Sequence, residues 1–161
     1  MSALAVGASG WLALLVFAPL LPVPLAAITY LFGSLICHQL PDRSFHLDGV
    51  QLPVCARCIG LYAGTALMTL SRLVPWSGAR TNDQGWLTPR TILVAGLAPT
   101  LLTVVLEMLG AWSPSNVVRA AAGLALGGAV AFVVTGAVAT LHYGQCAPRR
   151  PIAPLRPPPP I

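Results

Sequence analysis

The sequence contains no lysine and few charged residues of any kind. Of its 161 residues 8% are charged, and these are nine arginines and four acids. A soluble domain carries roughly 25% charged residues, so this chain has too few to cover a surface exposed to water. Its hydrophobic fraction of 56% therefore indicates an integral membrane protein. The same composition excludes a largely disordered chain and a disulfide-dense miniprotein. Because the arginines form no patch, nucleic acid is not an expected partner.

The first apolar run, residues 3–36, carries no charge and is longer than the roughly 20 residues that one span needs. Pro19, Pro22 and Pro24 interrupt it, and each removes a backbone donor and kinks or ends a helix. Either one long kinked helix crosses the membrane, or a first helix ends near Pro19 and a re-entrant or interfacial segment follows over residues 25–36. Three prolines in six residues favour the second interpretation.

Three further apolar segments cover residues 58–76, 91–112 and 120–141. Together with the first, proline-broken run they predict an all-α fold, a polytopic membrane helical bundle with about four transmembrane helices. Residues 1–147 are expected to form a single membrane domain. The proline-rich residues 148–161 are expected to form a disordered tail.

The distribution of arginine predicts how the chain is oriented in the membrane. Six arginines lie in the 77–90 loop, next to it or in the tail, whereas three lie on the opposite face. Because basic residues favour the cytoplasmic side, this places the tail in the cytoplasm. The polar loop 37–54 then faces away from the cytoplasm.

The polar loop and the helix start that follows it contain three of the four cysteines. Cys55 and Cys58 form a C-x-x-C turn, which brings two sulfurs to one side, as in a zinc knuckle or a redox dithiol. The separation of Cys37 from Cys55 suits paired zinc half-sites. Cys37, His38, Cys55 and Cys58 are therefore the candidate metal ligands, with His46 as the alternative fourth ligand.

A polar cluster is predicted on the same membrane face as the cysteines. Glu107 lies inside an apolar segment, where an unpaired carboxylate is costly, and Arg119 begins the next helix after a short turn. This predicts a Glu107–Arg119 ion pair. Arg43 and Arg57 either extend to the membrane interface or bind an anion. With Asn116, these residues form a candidate anion-binding or structural cluster.

Two small-residue patterns, Gly60-x-x-x-Gly64 and Gly123-x-x-x-Gly127, allow helices to approach closely. They predict tight packing of two helices, either within one chain or between copies. A homo-oligomer through these faces is thus one expectation. The lipid bilayer is the other expected partner.

The motifs in this region resemble those of a known family, the small prokaryotic membrane proteins catalogued as domain of unknown function 2085. The resemblance covers roughly residues 28–130 and implies a protein of the prokaryotic inner membrane, but it supplies no reaction. Many members carry an aromatic residue in place of His46, which argues against His46 as a ligand. The matching residues are Cys37-His38-Gln39, Pro41, Arg43-Ser44-Phe45, Cys55-x-Arg57-Cys58, Gly60, Tyr62, Gly64, Glu107, Gly110, Ser115-Asn116, Arg119, Gly123 and Gly127.

Three functions are compatible with these residues, and metal binding, most simply of zinc, ranks first. The second is a thiol–disulfide oxidoreductase with Cys55, Cys58 and Cys37 as catalytic candidates and a quinone as cofactor. This alternative is weaker because Cys37 lacks a partner thiol and Cys146 is predicted on the opposite side. The third is binding of an anionic lipid headgroup by the arginines. Whether the protein is an enzyme stays open.

Overall fold

The computed structural model describes residues 2–74 and 88–146, which form a mostly helical structure. The described part also contains one β-hairpin, so the prediction of a purely α-helical fold is wrong in this detail. The hairpin folds within the loop that the sequence assigned to the membrane surface. The elements are α1 (Ser2–Phe17), α2 (Val23–Ile36), β1 (Ser44–Leu47), β2 (Val50–Cys55), α3 (Ala56–Ser71), α4 (Pro89–Met108) and α5 (Asn116–Cys146).

The three prolines break the first apolar run, as the second interpretation predicted. Helix α1 ends at Phe17, a short 3₁₀ turn covers Ala18–Leu20, and α2 begins at Val23, two residues before the predicted start. Pro24 lies in the first turn of α2, where its missing N–H costs no helical hydrogen bond. With 14 residues, α2 is about 21 Å long, shorter than the roughly 30 Å hydrocarbon core. Its re-entrant or interfacial position stays a prediction.

Within residues 2–74 and 88–146, three helical segments are long and apolar enough to cross a membrane: Ser2–Leu20, Pro89–Met108 and Asn116–Ala139. Helix α3 has 16 residues, or about 24 Å, so the count of four spans stays a prediction. The end of the 58–76 segment, the 77–87 part of the next loop and the 148–161 tail lie outside the described residues. The division into a membrane domain and a tail is therefore untested.

Helices α3 and α5 form the centre of the bundle: they pack against each other, α1 packs against α3, and α4 packs against α5. The α3–α5 contact is made through glycine. A Cβ added at Gly60 would collide with the backbone carbonyl of Ala120, and one at Gly123 would collide with that of Arg57. The two small-residue patterns therefore meet each other within one chain. The homo-oligomer stays a prediction.

The β-hairpin has a two-residue turn at Asp48 and Gly49. Both residues have positive φ, 51° and 80°, as a type I′ turn requires. The antiparallel pairing places Ser44 opposite Cys55. The hairpin thereby brings the chain back to the end of α2. It places Cys55 directly before Ala56, the first residue of α3.

Candidate metal centre and arginine cluster

The three cysteines come from three elements that end or begin at the same place. Cys37 follows the last residue of α2, Cys55 ends β2, and Cys58 lies in the first turn of α3. Their sulfur atoms all lie within 4.8 Å of one another, and the Sγ atoms of Cys55 and Cys58 are 3.5 Å apart. All three are free thiols. In a tetrahedral zinc site with Zn–S bonds of about 2.3 Å, the sulfurs lie about 3.8 Å apart, so the spacing suits a metal ion.

The surroundings of Cys55 favour the deprotonated form that binds metals, whereas the hydrogen bond with Cys55 and burial raise the pKa of Cys58. The backbone N–H of Cys55 donates to Sγ of Cys37 at 3.2 Å. The hydrogen bond with Cys58 lowers the pKa of Cys55 to about 5, an effect that burial opposes and that the backbone N–H groups at the start of α3 reinforce. The positive end of the α3 dipole acts in the same direction.

Gln39 holds this arrangement together. Its backbone adopts a positive φ of 51°, and its Nε2 donates to the carbonyl oxygens of Tyr30 at 3.0 Å and of Pro53 at 2.7 Å. One amide thus joins α2 to β2 just beside Cys37. The sequence identified Gln39 as part of a motif but gave no function for it, because its hydrogen-bond partners are set by the fold.

A cavity of about 450 Å³ opens beside the thiols. Its walls combine sulfur, guanidinium and apolar groups. The cavity therefore adjoins both the cysteine cluster and the arginine cluster. No carboxylate is among the described residues that form these walls. The lining residues are Ile36, Cys37, His38, Gln39, Leu40, Arg43, Cys55, Arg57, Cys58 and Arg119.

Glu107 accepts contacts from three arginines that come from three different elements. Nη2 of Arg119 lies 2.8 Å from Oε1, Nη2 of Arg43 lies 3.1 Å from the same oxygen, and Nη2 of Arg57 lies 3.4 Å from Oε2. The side chains of Glu107 and Arg119 are only 10% and 9% exposed. The predicted Glu107–Arg119 pair is confirmed, and the carboxylate also binds two cations that the sequence did not assign to it.

Asn116 connects this cluster to the hairpin. Its Oδ1 accepts from Nη1 of Arg119 at 3.0 Å, and its Nδ2 donates to the carbonyl oxygen of Ser44 at 3.0 Å. Ser44 is fully buried opposite Cys55. The metal candidates and the arginine cluster are therefore parts of one continuous structure at one end of the bundle, as the sequence predicted.

The two histidines that the sequence offered as ligands, His38 and His46, have different positions. His38 is exposed on the wall of the cavity but does not belong to the group of mutually close ligand atoms. His46 lies in β1, where it is exposed and pairs with Gln51 in the hairpin. Coordination by His38 stays a prediction. The fourth cysteine, at position 146, is the last residue of α5. This position is about 45 Å along the helix axis from residue 116, so it lies at the opposite end of α5 from the three clustered cysteines.

The fold and the site define a class: a helical membrane protein with three clustered cysteines beside a buried arginine–glutamate cluster. Residues 37–133, more than half of the chain, match the family described as a predicted membrane protein, domain of unknown function 2085 (DUF2085). The chain belongs to this family, as the CHQ and CxRC motifs indicated.

Two archaeal relatives are similar to this chain, and both are named uncharacterised proteins. One, from Methanocaldococcus jannaschii, is 30% identical over 105 residues, which cover 65% of this chain and 65% of the relative. The chain thus aligns with slightly less than two thirds of that relative's length. The other, from Methanothermobacter thermautotrophicus, is 34% identical over 95 residues, 57% of this chain and 78% of the relative. No solved structure gives a significant match.

Proposed function

We propose that this protein binds a zinc ion through the thiolates of Cys37, Cys55 and Cys58 at one face of the membrane. The observation that carries the proposal is the convergence of three sulfurs, from three separate elements, within 4.8 Å. Cysteine as a small apolar packing residue would not require such convergence. Three thiolates form a soft ligand set, which favours zinc over magnesium or calcium.

The fourth coordination position faces the cavity in this proposal. Three protein ligands with one open position are typical of catalytic zinc, whereas structural zinc has four protein ligands. His38, on the cavity wall, is the residue available to close the site. Whether His38 binds the metal therefore decides between a structural centre and one that can hold an exchangeable ligand.

The test is the metal content of the purified protein. The chain is expressed in zinc-supplemented medium and purified in maltoside detergent with a non-thiol reductant. Its metal content is then measured by inductively coupled plasma mass spectrometry. We expect about one zinc ion per chain. The variants Cys37→Ser, Cys55→Ser and Cys58→Ser are each expected to lose most of it. Metal-free wild-type protein, fully reactive with thiol reagents, would refute the proposal.

Two matched controls make this result specific. Cys146→Ser removes a thiol at the far end of α5 and should leave the zinc content unchanged. His38→Ala separates the two forms of the site. Loss of zinc in this variant identifies His38 as the fourth ligand, whereas full retention of zinc means that the fourth coordination position is open and faces the cavity. Replacing zinc with cobalt gives an independent count of the sulfur ligands, because the thiolate-to-cobalt charge-transfer absorption grows with their number.

The dithiol alternative gives a different pattern in the same samples. A redox centre at Cys55 and Cys58 predicts metal-free protein in which both cysteines are oxidised when the reductant is omitted, and a trapped mixed disulfide with a partner protein. The 3.5 Å approach of the two sulfurs suits this alternative as well, and the metal content of the purified protein decides between the two.

We propose further that the metal centre lies on the non-cytoplasmic side of the inner membrane, because the excess of arginine in the 77–90 loop and the tail favours a cytoplasmic location for both. Alkaline phosphatase fused to the C-terminus should then be inactive in cells, and a fluorescent protein fused there should fold. Active phosphatase at the C-terminus would reverse the orientation.

A further inference from the structure

The arginine cluster contains more positive charge than its carboxylate can balance. Arg43, Arg57 and Arg119 contact one acid, Glu107. A helix clamp needs one cation for one carboxylate, and that is the Glu107–Arg119 pair alone. Two further guanidinium groups therefore share this one carboxylate and have no acidic partner of their own among the described contacts. Excess charge of one sign near the apolar part of a membrane is costly unless an anion compensates it.

The metal centre proposed above does not remove this excess. One Zn²⁺ ion with three thiolates carries one negative charge, which leaves a net positive charge on the three arginines and Glu107. The inference thus holds with zinc bound.

The guanidinium groups also have unused hydrogen-bond donors. The Nε atoms of Arg57 and Arg119 are buried and have no hydrogen-bond partner among the described residues. Arg119 as a whole is only 7% exposed. Each guanidinium has five N–H donors, yet among the described residues Arg57 donates one side-chain hydrogen bond and Arg119 donates two. Such partly satisfied, buried cations are unusual in a purely structural role.

The same three arginines line the cavity beside the thiols. Its volume of about 450 Å³ is within the range of small-molecule sites. We infer that this cavity is a binding site for a phosphate group, held by Arg43, Arg57 and Arg119. Arginine is suited to this because its planar fork binds two phosphate oxygens at once.

The phosphate group could belong to an anionic phospholipid or to a soluble phosphate. Ile36 and Leu40 form the apolar part of the cavity wall and are both exposed, as a site next to acyl chains requires. Arg43 is 45% exposed, so the site is also open to water. The experiment therefore has one arm for each source.

The first arm measures binding of inorganic phosphate by isothermal titration calorimetry. The protein is in maltoside detergent, and chloride at matched ionic strength is the reference titration. The second arm is native mass spectrometry with phosphatidic acid and, for comparison, diacylglycerol, which has the same acyl chains without the phosphate. Saturable binding in either arm supports the proposal, and the arm that responds identifies the source. Binding in neither arm, or equal binding of the two lipids with no response to inorganic phosphate, overturns it.

The variant that tests the residues is Arg43→Gln, because Arg43 is the most exposed of the three and its removal should leave the fold intact. Loss of one charged hydrogen-bond donor should weaken binding about tenfold. The matched control is Arg72→Gln, which removes an arginine that stacks on Phe132 at the other end of α3 and should leave binding unchanged. Equal losses in the two variants would indicate nonspecific attraction and would refute the site.

Repeating the phosphate titration and the lipid measurement with Cys58→Ser protein distinguishes the phosphate site from the proposed metal centre. Retained phosphate binding in this variant supports an arginine site that is independent of zinc. Loss of binding in this variant, while the Arg43→Gln protein still binds, would assign the anion to the metal instead and overturn the arginine site.

Discussion

Replacing Glu107 with glutamine would leave three arginine side chains around a neutral amide. The dominant loss is the contact with Arg119, in which both side chains are at most 10% exposed and the atoms lie 2.8 Å apart. Removing one partner from a buried ion pair costs about 3–5 kcal/mol. Arg43 adds little, since its side chain is 45% exposed and such pairs contribute roughly 0–1 kcal/mol. We expect a loss of about 3 kcal/mol, because the amide oxygen of glutamine still accepts one hydrogen bond.

For a chain of this size, that loss corresponds to a fall of about 6–12 °C in apparent melting temperature. The assay is thermal unfolding in detergent, followed by tryptophan fluorescence. The control is Asp48→Asn, which neutralises an exposed carboxylate at a positive-φ position that asparagine tolerates. A melting temperature for Glu107→Gln close to that of the control would refute the idea that Glu107 compensates the arginines.

A double variant tests the origin of the loss. Adding Arg119→Gln to Glu107→Gln removes one of the charges left without a partner, so the double variant should be more stable than the sum of the two single losses predicts. Strict additivity of the two losses would mean that the side chains act independently and that the 2.8 Å contact contributes no coupling.

The remaining predictions concern helix packing, the link to the hairpin and the thiol environment. Gly60→Leu should prevent close α3–α5 packing and give little folded protein, whereas Gly7→Leu, at a glycine with open space around it, should fold normally on size-exclusion chromatography. Asn116→Ala should cost about 2 kcal/mol in thermal unfolding, because a backbone carbonyl and an arginine each lose a partner. In metal-free protein, Cys58→Ala should raise the pKa of Cys55 from about 5 and shift the pH midpoint of its alkylation upward; an unchanged midpoint would contradict the hydrogen-bond origin of the shift.

Local chain chemistry predicted much of this structure. The prolines near residue 20 predicted the break between α1 and α2, because a missing N–H and a fixed φ act within one turn. The cost of an unpaired carboxylate predicted the Glu107–Arg119 pair across a short turn. The turn before α5 offers Ser113 or Ser115 as the cap of this helix, and in the structure the Oγ of Ser115 accepts from the N–H of Val118 at 3.4 Å.

The β-hairpin was not predicted, although a signal for it was present. Asp48-Gly49 is a typical two-residue hairpin turn, and it is flanked by residues that alternate between apolar and polar. The contacts of Arg43 and Arg57 with Glu107 could not be predicted in this way. They depend on the hairpin register and on the glycine-mediated approach of α3 to α5, which only the folded chain determines.

The most direct test of the central claim is X-ray absorption at the zinc edge on the purified, zinc-loaded protein. The proposed centre predicts three sulfur neighbours at about 2.3 Å and one nitrogen or oxygen neighbour at about 2.0 Å. A spectrum with only nitrogen and oxygen neighbours, or protein that retains no zinc after dialysis, would contradict a metal centre formed by Cys37, Cys55 and Cys58.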